Sequence, residues 1–230
     1  MYSEYRKARV SNGETEDVSL RAPVPSVPAE PDPGVPSLVD SAWLKEKLGN
    51  QGPDLRVVDA SWHMPMTGRK GAEEHKTEHI PGAVYFDLNE AKDKSAKYGD
   101  QILPPEKEFA EYVGKLGISR DTHVVIYDNN ENLGMFSAPR AWFVFRVYGH
   151  TKLSVLNGGL PAWKKADGEV TAEVTSVVEA EYEAKYRENI VKSYYDIVSN
   201  LQDKAFAYVD ARPTPRFEGK APEPRPGKRA

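Results

Sequence analysis

His123-Val-Val-Ile-Tyr-Asp-Asn-Asn-Glu-Asn-Leu-Gly-Met-Phe-Ser137 changes character twice within one short stretch. His123–Tyr127 is nearly all apolar or aromatic, as a strand must be when both of its faces are covered. The polar run from Asp128 cannot extend such a strand. Ser137, placed ahead of Ala138-Pro139, reads as a helix N-cap with proline in the first turn. The expected unit is strand, loop, helix N-terminus. Open α/β sheets place their sites there, and backbone N–H groups with the helix dipole favour an anion at that point.

The same alternation extends outward in both directions. Asp40 or Ser41 can cap a helix through Leu48, followed by a strand at Leu55–Asp59 and a short charged helix at Glu73–Glu78 that runs into Pro81-Gly82. Val84–Phe86 reads as a strand. Pro105 opens a helix that buries Phe109, Tyr112, Val113 and Leu116, and Gly117 ends it. Beyond Ser137, the residues Trp142, Phe143, Phe145 and Val147 have the spacing of core side chains, and Gly149 stops their helix. Leu153–Leu156 is a further strand, and Leu160–Ala166 a helix stopped by Gly168. Strands alternating with helices predict an α/β fold, its mostly parallel sheet flanked by helices.

With 230 residues, of which 39% are hydrophobic, the chain can hold one complete domain and part of another. A net charge of −4 gives no reason to expect nucleic acid as a partner. No apolar run approaches the ~18 residues that span a bilayer, so no membrane is expected. There is no cysteine, which excludes disulfides, thiolate metal sites and thiol catalysis in this chain. Residues 1–37 read as a disordered arm, with six prolines between Pro23 and Pro36. Its acids Glu4, Glu14, Glu16 and Asp17 argue against a mitochondrial transit peptide. The expected location is cytoplasmic, with mitochondrial import left open.

A repeat organises the rest. Ser193–Leu201 reads as a capped helix and Phe206–Asp210 as a strand ending in Asp, which matches Ser41–Leu48 followed by Leu55–Asp59. The offsets are 152 residues from Ser41 to Ser193 and 151 from Asp59 to Asp210, a tandem duplication. The expected organisation is therefore a first domain at 38–172, a linker at 173–192 and an incomplete second copy at 193–230. The step from Asp59 to His79, taken from Asp210, lands on the final residue, so the second copy is expected to lack roughly 90 residues by comparison with the first.

His79-Ile-Pro-Gly-Ala83, Ser137-Ala-Pro-Arg-Ala-Trp142 and Leu156-Asn-Gly-Gly-Leu-Pro-Ala-Trp163 occur in that order, behind Val57-Val-Asp-Ala-Ser-Trp-His63. Together they resemble the N-terminal half of the tandem-domain rhodanese family, the thiosulfate and 3-mercaptopyruvate sulfurtransferases. The resemblance implies a tandem rhodanese fold, a small sulfur donor, cyanide or a thiol as acceptor (a thiol protein such as thioredoxin included) and no cofactor. It also implies truncation before the catalytic cysteine, which sits in the family's second domain. The family's first domain is inactive and carries Asp where the cysteine would be; here that residue is Asp128. No catalytic residue is assigned, and this cysteine-free chain is expected to be inactive by itself. Arg216 and Arg225, in Arg216-Phe-Glu-Gly-Lys-Ala-Pro-Glu-Pro-Arg225, resemble the family's substrate-binding arginines. The other reading is a solvated proline-rich tail. The alternative function is a catalytically inactive module, a truncated isoform or a pseudoenzyme, that acts by binding.

Two positions depart from the pattern. The family's acid and base in the first domain line up with Asn89 and Gln101, and neither amide can titrate. His75 and His79 are four apart on one helix, yet no third ligand is evident, so no metal site is expected. His79 is expected to hold the turn at Pro81-Gly82. His63 and His150 carry no signal beyond ordinary packing.

Overall fold

Leu55, Val57 and Asp59 pair in parallel with His123, Val125 and Tyr127, and this register builds the centre of the molecule. The computed structural model describes residues 32–49, 54–96, 102–131 and 135–222. Most of the proline-rich arm, Gln101 and Arg225 lie outside the described residues. Among those described, residues 32–191 form one compact unit and 192–222 a second.

The first unit contains, in chain order, β1 (Leu38–Val39), α1 (Ser41–Gly49), β2 (Leu55–Asp59), α2 (Gly71–Thr77), β3 (Val84–Tyr85), α3 (Glu106–Lys115), β4 (His123–Tyr127), α4 (Ala138–Val147), β5 (Leu153–Leu156) and α5 (Gly159–Lys165). A 3-10 turn at Pro65–Thr67 lies between β2 and α2. The sheet order is β1-β5-β4-β2-β3, with every pair parallel. Alternation along the strands sends Val57, Val125 and Tyr127 to one face, where Leu44 of α1 and Leu160 and Trp163 of α5 cover them. Val58, Val124 and Ile126 go to the other face, under Phe109 and Val113 of α3 and Val144 and Phe145 of α4. Both faces are therefore buried, which accounts for the unbroken apolar run of β4. Each such side chain removed from water contributes about 1.5–3 kcal/mol.

Local signals place the helix ends. Of the two candidate caps for α1, Asp40 serves, its carboxylate accepting the Trp43 N–H at 2.8 Å. Gly117, with φ at +68°, closes α3 in the left-handed conformation. Upstream of α1 the sheet recruits residues from the end of the expected arm: Ser37 O accepts the Val155 N–H, and Leu38–Val39 forms the edge strand β1.

Residues 171–191, read from the sequence largely as a linker, run as a strap over the first unit. Thr171 and His79 exchange both backbone hydrogen bonds at 2.9 Å. Further along, Ala180 N–H donates to Gly114 O, Lys185 N–H to Tyr148 O and Arg187 N–H to Val147 O. Tyr182 is 5% exposed. It meets Phe109 edge-on at 5.7 Å and stacks on His150 at 5.7 Å, with its hydroxyl 3.2 Å from His150 Nδ1. The strap thus supplies an aromatic side chain to the core.

The second unit holds α6 (Tyr194–Asp203) and α7 (Thr214–Phe217). A capping box starts α6: Ser193 Oγ accepts the Asp196 N–H, and the Asp196 carboxylate accepts the Ser193 N–H. One expectation is corrected here. Phe206–Asp210 is not a strand: Phe206 lies in a bend, and among the described residues no segment pairs with 206–210. The helix α7 is a single turn. The two aspartates matched by the sequence offset close the same kind of turn: Asp59 Oδ1 accepts the Ser61 N–H at 2.9 Å, and Asp210 Oδ1 accepts the Arg212 N–H at 2.9 Å. The caps also align Asp40 with Ser193, which makes Ile197 the counterpart of Leu44 and shifts the helix register by one residue from the serine-to-serine match.

Candidate functional site

The site forms where β4 ends, at Asp128, two residues after Ile126 of the core. Asp128 is 1% exposed. Its Oδ2 accepts the backbone N–H groups of Phe136 at 2.7 Å and of Ser137 and Ala138 at 2.8 Å, while Oδ1 accepts the Asn130 N–H at 3.1 Å. Three donors at the start of α4 thus converge on one oxygen. An anion binds in such a cradle, and here the anion is the protein's own carboxylate. This corrects the expected cap. Ser137 has helical dihedrals and makes no side-chain cap bond to α4; its hydroxyl instead accepts the Trp62 N–H at 3.0 Å. Asp128, read first as the residue after a strand, caps the helix from nine residues upstream.

A second layer of polar groups fixes the loop. Asp59, at the end of β2, binds the Ser61 hydroxyl at 2.5 Å and His75 Nδ1 at 2.9 Å through its two oxygens. The Ser61 hydroxyl in turn accepts the Asn129 N–H at 2.9 Å. Glu74 of α2 receives the Arg69 guanidinium in a two-pronged pair at 2.7 and 2.8 Å, and lies 3.0 Å from both His63 Nε2 and Asn129 Nδ2. Burial pushes the Glu74 carboxyl up, but the hydrogen bonds from Arg69 and His63 outweigh it and hold the group below its usual value. Arg69 also donates to Asn129 O at 3.1 Å. The α2 helix can approach this closely because Gly71 has no side chain: a Cβ there would stand 1.9 Å from Ser61 O.

Two openings share His63 and Arg69 in their walls, and the first adjoins the loop. One, of about 380 Å³, is lined by His63, Met64, Thr67, Arg69, Asn130 and Phe136. A smaller one of about 180 Å³ lies between Trp62, Lys70, Tyr85 and Asn89. Asn89 is exposed, and its N–H is held by the Asp87 carboxylate at 2.7 Å.

The remaining sequence candidates separate. Arg216 lies half-buried on α7 in the second unit, where its charge joins the Arg212 hydrogen bonds in lowering the Asp210 carboxyl. Arg225 lies outside the described residues. The His75 and His79 rings stack at 4.1 Å; His75 Nδ1 is engaged with Asp59, and both nitrogens of His79 with backbone oxygens, His75 O at 2.6 Å and Glu173 O at 3.1 Å. His79 therefore ties α2 to the strap. Sequence reasoning missed Ser61, His63, Arg69, Glu74 and Asn129. Only Ser61 carried a signal, as the hydroxyl two residues after an Asp at a strand end, the pattern of an Asx turn.

The sequence profile of the Rhodanese-like domain matches residues 40–166, more than half of the chain. The chain belongs to the rhodanese family. Thiosulfate sulfurtransferase of Cricetulus griseus is 46% identical over 190 residues, 82% of this chain and 63% of that protein. 3-Mercaptopyruvate sulfurtransferase of Homo sapiens is 41% identical over 193 residues, 83% of this chain and 64% of that one. The crystal structure of SseA from Escherichia coli, described among 3-mercaptopyruvate sulfotransferases, superposes with a TM-score of 0.70 at 32% identity, covering 82% of this chain and 70% of that one. The chain thus spans just under two thirds of the length of these curated relatives. In this rhodanese the loop after β4 presents a carboxylate to its own helix cradle.

Proposed function

We propose that the chain is part of a rhodanese-type sulfurtransferase that uses thiosulfate or 3-mercaptopyruvate as donor, and that its first unit is the non-catalytic half. The observation that carries this assignment is the Asp128 carboxylate, with Oδ2 held by three N–H groups of the α4 cradle. Sulfur carriage needs a thiolate that attacks the donor's transferable sulfur and becomes a persulfide, while sulfite leaves from thiosulfate or pyruvate from 3-mercaptopyruvate. A carboxylate in that position occupies the anion site without being able to carry sulfur, and none of the 230 residues is a cysteine. The names of the relatives support the donor class, and a small thiol or a thiol protein such as thioredoxin suits the acceptor role. Arg216 and Arg225 are the residues proposed to hold the donor's carboxylate, since a guanidinium fork matches it.

A second reading has its own support in the zero cysteine count: an inactive rhodanese module that acts by binding. One experiment separates the two. Antibody against the first unit captures the protein from its source, and the captured material is assayed with thiosulfate and cyanide and with mercaptopyruvate and a thiol. Co-purifying turnover supports the sulfurtransferase. Captured 230-residue chain with no turnover establishes the binding module instead. Recombinant 230-residue protein alone should give background in both assays.

A further inference from the structure

The two ends of α4 gather opposite charges. Its N-terminus closes on the Asp128 carboxylate. Ten residues further, about 15 Å along the helix, its C-terminus gathers arginines. Gly149 O accepts from Arg120 Nη2 at 3.1 Å and from Arg187 Nη2 at 3.0 Å, so those two nitrogens stand within about 6 Å of each other, the two bonds laid end to end. One residue on, His150 O accepts from Arg146 Nη1 at 3.2 Å. Arg120 comes from the loop between α3 and β4, Arg146 from the last turn of α4 and Arg187 from the strap. Three segments of the first unit thus bring three cations to one corner.

The helix end explains only part of this. A macrodipole places about half a negative charge at a C-terminus, enough to attract one cation and too little to balance three. The cations act on their surroundings and on one another. Burial and, in addition, Arg120 push the His150 imidazole down to about 4, and burial pushes the Arg187 guanidinium down, with Arg146 and Arg120 pushing it further. Glu183, whose backbone oxygen accepts from Arg120 Nη1 at 3.0 Å, turns its carboxylate to Lys185 Nζ at 3.3 Å. Arg120 meets these backbone oxygens with two of its five N–H groups. Both Arg120 and Arg187 are half-buried and so reachable from solvent. Two guanidinium forks side by side match an anion with several oxygens on one centre. We propose that Arg120 and Arg187, with Arg146 behind them, bind a small tetrahedral oxyanion such as sulfate, thiosulfate or phosphate. The site is built from the first unit alone, and its occupation requires no sulfur transfer.

Calorimetric titration of the 230-residue protein with sodium sulfate and with sodium thiosulfate tests this, at an ionic strength held constant with sodium chloride. Saturable binding is expected. An Arg120→Gln/Arg187→Gln variant should bind at least about tenfold more weakly, and Arg120→Lys should fall between, since an ammonium keeps the charge without the fork. Absence of saturable binding overturns the proposal, as does equal affinity of the native protein and the double variant. The side-chain Nε–H resonances of Arg120 and Arg187 give a readout that needs no stable variant. Both should shift along one saturation curve as sulfate is added, and shifts confined to other arginines overturn the proposal. A phosphate titration separates the sources: tighter thiosulfate assigns the site to sulfur oxyanions, tighter phosphate to phosphate, and either order supports the site. None of these readouts involves turnover, so the outcome is independent of the sulfurtransferase assay.

Discussion

Asp128 Oδ2 accepts the Ser137 N–H at 2.8 Å across nine residues, so the loop between β4 and α4 is closed by its own first side chain. Asp128→Ala would leave the N–H groups of Phe136, Ser137 and Ala138 buried without an acceptor. A loss of about 3 kcal/mol in unfolding free energy is expected, with Asp128→Asn intermediate because one amide oxygen still reaches the cradle. Denaturant titration of the three proteins measures it. Equal stability of Asp128→Ala and wild type would show that water satisfies the donors and that the cradle contributes nothing.

The same cradle should acidify a thiol. Asp128→Cys places the chain's sole sulfhydryl among donors aimed at one point, so its thiol should titrate at least about one pH unit below the ordinary value near 8.5. Thiolate ultraviolet absorbance against pH reads it without interference from other cysteines. A pKa at or above 8.5 would show that burial outweighs the N–H groups.

The strap belongs to the fold of the first unit. A chain ending at residue 175 loses Tyr182 and the hydrogen bonds to Gly114, Tyr148 and Val147. Its melting temperature should fall well below that of a chain ending at residue 191, the missing aromatic alone being worth about 3–5 kcal/mol. Gly114→Ala tests the seam separately, because its Cβ would stand 2.5 Å from Ala180 O. A cost of roughly 1–3 kcal/mol is expected in the longer chain. No cost in a chain ending at 175 would confirm that the strap is what the methyl group strikes.

Burial holds the His150 imidazole down at about 4, against an ordinary value near 6.5. The unfolded chain therefore binds a proton that the folded chain refuses between pH 6.5 and 4. Stability due to this group is complete above pH 6.5 and declines as pH falls toward 4, by about 3 kcal/mol in total. His150→Gln should start lower and show a shallower decline across that window. Identical slopes for the two proteins in pH-dependent denaturation would place the proton uptake elsewhere.

The fold was legible because its signals were local or periodic. The run His123–Tyr127 announced a strand covered on both faces, Gly117 marked a helix end, and the offset between Asp59 and Asp210 falls on two aspartates that each close an Asx turn. Asp128 was found by position alone, as the residue following the strand. Its capping role was not legible, since Ser137 is the better local cap and loses that role only because Trp62 claims its hydroxyl. The Glu74 cluster joins the stretch from His63 to Glu74 with Asn129, 55 positions further on, and no local spacing encodes that meeting. The strap failed as a reading for a similar reason: its polar, acidic composition describes its outer face, while Val177, Tyr182, Ala184 and Tyr186 pack against the core. The strand expected at Phe206–Asp210 had the right residues and has no partner among the described residues, which is information a strand does not carry in itself.

Tyr182 has a consequence for synthesis. The aromatic cluster it completes is built from Phe109, Phe145 and Tyr148, all made earlier on the ribosome. At roughly 5–20 residues per second, a few seconds separate the appearance of Tyr148 from that of Tyr182. For that interval the rings of Phe109, Phe145 and Tyr148 lack the cover that Tyr182 gives them in the finished fold. Synthesis of the strap is thus the step that completes the aromatic cluster.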